Sequence, residues 1–184
     1  MSPADDWWRS LAALTPEAPP AAVLALVDRV GELGEVPWHG QLAAVTMVLG
    51  RWLGPPAGVG VYIAQRPGAP LWLAHNTGIP GGPLVDWGSA AVGLAARERA
   101  LHLADEAAGV LGHPGGAVGV VQTLAIPVVR SGVLTAVLEA RSSEPGRIGL
   151  AEAQLAMEVA DRLAGRWPER MAAASKNPAM EGET

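Results

Sequence analysis

The stretch from Val118 to Arg141 constrains the fold most: two long apolar runs separated only by Arg130-Ser131-Gly132. A connection that short cannot hold a crossover, so Val118–Val129 and Val133–Arg141 must lie side by side and antiparallel. The loop SSEPGRIG follows, and then a helical pattern from about Leu150 to Trp167. Its stripe is Leu155, Val159 and Leu163, widened by Ala156, Ala160 and Ala164 and extended by Leu150 and Met157.

Upstream the period is helical first and extended later. Ser2-Pro3-Ala4-Asp5-Asp6 reads as a capped helix start, with Trp7, Leu11 and Leu14 on one face. The stiff Thr15–Pro20 linker leads to a helix over about Ala21–Leu33, with Val23, Leu26, Val27, Val30 and Leu33 as its stripe. A third helix, about Gln41–Leu53, stops at Gly54-Pro55-Pro56. Gly58–Ala64 and Leu71–His75 then read as strands around the turn Arg66-Pro67-Gly68. Residues Asn76–Asp86 form a Gly- and Pro-rich loop, Ser89–Arg99 a short Ala-rich helix, and Leu101–Leu103 a brief strand. A second Gly-rich loop spans Gly109–Gly116. The fold class expected is α/β (α+β): a central antiparallel sheet with helices on one face and ligand-type loops on the other, plus an N-terminal helical extension. The division expected is 1–36 extension, 37–167 domain and 168–184 disordered tail.

Composition narrows the chemistry. The chain has no cysteine, which excludes disulfides, thiolate metal sites and thiol nucleophiles. Net charge is −5 and no stretch concentrates Lys or Arg, so no nucleic-acid partner is expected. No apolar run reaches the roughly 20 residues of a membrane span, and Asp5 and Asp6 stand where a secretion signal would be basic. A cytoplasmic protein with no membrane partner is expected. His39, His75, His102 and His113 show no metal spacing, and no cofactor or metal is expected. Gly58-x-Gly60 lacks the third glycine and the helix of a dinucleotide fingerprint.

Two charged residues stand out. Glu139 and Arg141 alternate on the last strand and share a face. They can pair with each other, present opposite charges to a zwitterionic ligand, or form a weak pair at a solvated sheet end, and this last reading is slightly favoured. Tyr62, the only tyrosine, points away from the helices if Val59, Val61 and Ile63 point toward them. It either lines a pocket or covers the sheet with its hydroxyl in water.

The strand–Pro–turn–strand–loop–helix order at LAIPVVRSGVLTAVLEARSSEPGRIGLAEAQLAMEVADRLA resembles a GAF domain. From about Trp38 to Ala164 the chain is similar to the free methionine-(R)-sulfoxide reductases, GAF-fold enzymes. Gly60-Val61-Tyr62 matches that family's first-strand motif, and GGPLVDWGSAAVGLAA matches its paired-cysteine segment. The cysteine positions fall on Gly82 and Val92, with the interior glycine at Gly88. In Gly112-His113-Pro114-Gly115-Gly116 the third cysteine position is Gly116, the family's Ser-Glu pair is Gln122-Thr123, and its Asp-x-Asp is Glu139-Ala140-Arg141. Sulfoxide reduction needs a thiolate and a resolving thiol, so the resemblance implies the fold and a pocket without that chemistry. The ligand-binding residues it implies are Tyr62, Trp87, His113, Thr123, Glu139 and Arg141, with no catalytic residue.

The function expected is a non-catalytic GAF-type sensor or scaffold for a small polar metabolite. One alternative is an enzyme using Glu139 or His113 as acid–base. Another is a structural module docking through exposed Trp7 and Trp8. The closing helix is apolar over more than half its circumference, which implies two partners. A homodimer through terminal helices is expected, with packing inside one chain as the other option.

Overall fold

A computed structural model of the chain describes residues 2–33, 36–79, 81–105 and 119–168. The expected tail from 169 onward, the Gly109–Gly116 loop and His113 lie outside the described residues. Three helices come first: α1 (Pro3–Ala13), α2 (Pro20–Val30) and α3 (Trp38–Leu53). Ser2 caps α1, its hydroxyl accepting from the Asp5 amide while the Asp5 carboxylate takes the Ser2 amide. Helix α3 begins at Trp38 and not at Gln41. Pro37 opens it by accepting from the Gln41 amide, so Gly40 sits inside the first turn rather than before it.

The remaining elements are β1 (Ala57–Ile63), β2 (Leu71–Thr77), β3 (Leu84–Val85), α4 (Ala90–Glu98), β4 (His102–Asp105), β5 (Gln122–Arg130), β6 (Val133–Ser142) and α5 (Leu150–Arg166). The strands form one antiparallel sheet in the order β3-β2-β1-β6-β5-β4. The β5–β6 hairpin turns through Ser131 and Gly132, both at positive φ, which matches the twist of the strands it joins. Strand β5 starts at Gln122 and not at Val118, because Gly119 at φ 92° turns the chain out of the extended path. The expected Asn76–Asp86 loop is partly strand: β2 runs on to Thr77, and Leu84 pairs with Trp72.

The two faces of the sheet carry separate cores. On one face α1, α2, α3 and α5 bury Trp7, Leu26, Leu49, Val59, Ile126, Leu138, Val159 and Trp167 together. Trp7 is 1% exposed and its indole donates to the Leu26 carbonyl at 3.0 Å, whereas its neighbour Trp8 is 53% exposed. The expectation that both tryptophans are exposed is therefore corrected for Trp7. Helix α5 uses its apolar arc within the chain, on β5 and α2, and Arg162 and Arg166 reach Asp28 of α2 at 3.1 and 2.9 Å. Leu150 and Met157 are exposed and do not extend the buried stripe. On the other face α4 joins the loops. Its Ala91, Val92, Ala95 and Ala96 pack on Tyr62, Leu71, Ala125 and Val137, the small side chains letting the helix lie close.

Candidate functional site

The register of the central strands assembles a polar row on the α4 face. His102, Ala125, Glu139, Gly60 and Asn76 are successive cross-strand partners, and beside them run Ala104, Thr123, Arg141 and Gly58. Both glycines stand where a side chain would fill the space over the row. A Cβ on Gly60 would lie 3.5 Å from both Glu139 Oε2 and Asn76 Oδ1. On Gly58 it would fall within 2.6 Å of the Ile79 amide nitrogen and carbonyl oxygen. The backbone after β2 thus rests directly on the glycine-bearing part of β1.

Glu139 is 2% exposed and Arg141 is 3% exposed, so the surface-pair reading of these residues is corrected: they form a buried ion pair. The physical reason is the covering segment after β2, which a strand pattern alone does not reveal. Arg141 Nε lies 3.3 Å from Glu139 Oε2, and neither atom has a well-aligned hydrogen bond. The outer edge of the guanidinium, Nη2, donates to Asn76 Oδ1 in a short contact. Tyr62 is buried as well, and its hydroxyl donates to the Gly82 carbonyl at 3.1 Å rather than to water. Gly81 is seated so closely on Arg141 and Tyr62 that no Cβ would fit there.

Burial pushes the Glu139 carboxyl above its ordinary range, opposed by the Arg141 charge and by the Tyr62 hydroxyl. Burial, followed by the Glu139 charge, pushes the Tyr62 hydroxyl up, so it stays protonated and a hydrogen-bond donor.

The structure brings together Tyr62, Glu139, Arg141 and Thr123, the last fully buried opposite Arg141. Trp87 packs on the same core through its ring, and its indole nitrogen is buried without a hydrogen-bond partner. Of the expected set, only His113 falls outside the described residues. Sequence reasoning missed Asn76, Gly58 and Gly81. The Gly58-x-Gly60 pair was the available signal, and its meaning is clearance, at Gly58 for the Ile79 backbone and at Gly60 for the Leu73, Asn76 and Glu139 side chains, not phosphate binding. Among the described residues no three His, Asp or Glu side chains converge as metal ligands. Two large hollows lie elsewhere. One, of about 780 Å³, is walled by Trp8, Leu11, Pro16, Met47 and Ile79. The other, of about 830 Å³, is walled by Arg66, Pro70, Trp72 and Trp167. Neither is lined by Tyr62, Glu139 or Arg141.

An antiparallel sheet bearing a helical layer on one face, and a polar row under loops and a short helix on the other, defines an α+β architecture. No family model and no curated protein matches this sequence. Solved structures do match. The free methionine-R-sulfoxide reductase from Neisseria meningitidis, in complex with its substrate, has a TM-score of 0.71 at 19% identity, over 88% of this chain and 95% of that one. The GAF domain of the Acinetobacter phosphoenolpyruvate-protein phosphotransferase gives 0.65 at 12%, over 82% and 90%. The type II free methionine-R-sulfoxide reductase from Thermoplasma acidophilum gives 0.62 at 16%, over 73% and 91%. The chain has the GAF fold. With no cysteine anywhere in it, thiol-dependent sulfoxide reduction is outside its chemistry. No helix among the described residues is long and apolar enough to cross a membrane.

Proposed function

We propose that this chain is a non-catalytic GAF-type sensing or scaffolding protein that binds a small polar metabolite at the Tyr62–Asn76–Glu139–Arg141 cluster. The observation that carries the reading is the buried Glu139–Arg141 pair with its misaligned Nε and Oε2 atoms. A buried ion pair is a poor source of stability, and apolar residues of equal volume would serve the fold as well or better. A few convergent polar groups set into an otherwise apolar layer are what a small-molecule site uses.

Signal output would pass through self-association or a cytoplasmic partner. The exposed Trp8, Leu150 and Met157 on the terminal helices support a homodimer by that route. The raised pKa of Glu139 favours a second reading, acid–base catalysis in the same site. Calorimetry and thermal shift against amino acids, oxidised methionine and nucleotides test the first. Saturable binding with no conversion of the bound compound supports sensing. Turnover that is lost in E139Q supports catalysis. The absence of any binding leaves scaffolding alone.

A further inference from the structure

Arg141 and Tyr62 present their donors to β2 and to the segment that follows it, and each is met by a neutral oxygen, Asn76 lying within β2 and Gly82 beyond it. Arg141 Nη2 donates to the side-chain amide oxygen of Asn76, 65 residues away, and Tyr62 donates to the main-chain carbonyl of Gly82. A guanidinium is matched best by a carboxylate, which offers two oxygens and a full charge. Glu139 does not fill that role. It projects from the same strand two positions away and meets Nε side-on, without hydrogen-bond alignment. The oxygen seated at the outer edge of Arg141 is therefore an amide where the chemistry favours an acid. Glu139 Oε2, buried without a hydrogen-bond partner, borders the same space over Gly60 as Asn76 Oδ1, a Cβ there lying 3.5 Å from each.

We infer that Asn76 is a built-in stand-in for the ligand, and that the site takes a small carboxylate carrying an O–H or N–H donor on the adjacent carbon. The carboxylate replaces the Asn76 oxygen on Arg141 and the Gly82 carbonyl on Tyr62, and the neighbouring donor turns to Glu139 Oε2. This rests on reading the cluster as a ligand site. It accounts for Gly81, whose missing side chain lets the covering backbone lie against both donors and seat the Gly82 carbonyl on Tyr62 when no ligand is bound.

The test uses the full chain with matched probes: L-lactate and glycine against lactamide and glycinamide, followed by thermal shift and calorimetry. The acids raise Tm and the amides do not. N76D puts a carboxylate on Arg141 from within, so it raises the Tm of the free protein and weakens lactate or glycine binding at least tenfold. N76A removes the competing oxygen, so it lowers the free Tm yet tightens binding several-fold. A merely structural Asn76 would not move stability and affinity in opposite directions. Amides binding as well as acids, or N76D binding acids like the wild type, overturns the inference. Binding of nucleotides or neutral compounds without any acid binding overturns the carboxylate assignment and leaves the ligand site standing. No binding by wild type or N76A overturns both.

Discussion

Replacing Arg141 by Met is the sharpest perturbation of the buried pair. Both charges are almost wholly removed from water, so the variant strands the Glu139 carboxylate without its counter-ion. Breaking a buried pair from one side costs about 3–5 kcal/mol, against about 0–1 kcal/mol for an exposed pair. The cost must also depend on pH. Glu139 already has a folded-state pKa above its ordinary 4.5, and losing Arg141 raises it further. A carboxyl with a raised folded pKa is no burden below the unfolded value, and its penalty grows as pH rises from the unfolded value to the folded one and is full above it. Each pH unit between the two values is worth about 1.4 kcal/mol, so R141M recovers up to about 2.7 kcal/mol between pH 7 and pH 5. E139Q should show no such recovery, because Arg stays charged throughout. Urea unfolding of wild type, R141M, E139Q and the double variant at both pH values measures the coupling directly. A loss below about 1 kcal/mol for R141M, or an equal loss at pH 5 and pH 7, refutes the reasoning.

Further outcomes follow from other parts of the molecule. W7A removes a fully buried indole and its bond to Leu26, and should cost about 3–5 kcal/mol in urea unfolding, while W8A, which loses an edge-to-face contact with Trp7 from an exposed position, costs about 0.5–1.5 kcal/mol. G58A drives a methyl into the Ile79 backbone, so it should destabilise by about 1–3 kcal/mol and raise the amide hydrogen exchange of Gly60 and Ile79 together. His75, 2.6 Å from Thr46 Oγ1, has its pKa held below the ordinary 6.5 by burial. The unfolded chain takes up that proton first, so this residue's contribution is full above pH 6.5 and is lost as pH falls toward the folded value. Thermal unfolding between pH 7.5 and 5 should show a downward slope in wild type that is flattened in H75Q.

Much of this fold was readable from local chemistry. The Ser2 cap, the α2 stripe from Val23 to Val30, and the Ser131-Gly132 hairpin each follow from a few neighbouring residues and are kept, whereas α2 stops at Val30 and leaves Leu33 of the expected stripe outside the helix. Strand alternation likewise put Tyr62, Glu139 and Arg141 on the correct face. Residues whose roles depend on distant partners were not readable. Asn76 looks like any turn former until the β1–β2 register places it opposite Gly60. Arg141 looks like a solvated strand end until the backbone of Ile79 and Gly81 is laid over β1 and β6. Ala-rich α4 carries no pattern that tells one sheet face from the other. Its placement follows from the small residues that fit against Ala125 and Val137.

The most direct measurement is a two-dimensional amide NMR titration of the wild-type chain with L-lactate and glycine. Shifts concentrated at Gly58, Gly60, Tyr62, Asn76–Ile79 and Glu139–Arg141, saturating at one equivalent and absent in R141M, are predicted. An unchanged spectrum, or shifts confined to the hollows beside Trp8 and Trp72, would contradict a ligand site beneath the segment that follows β2.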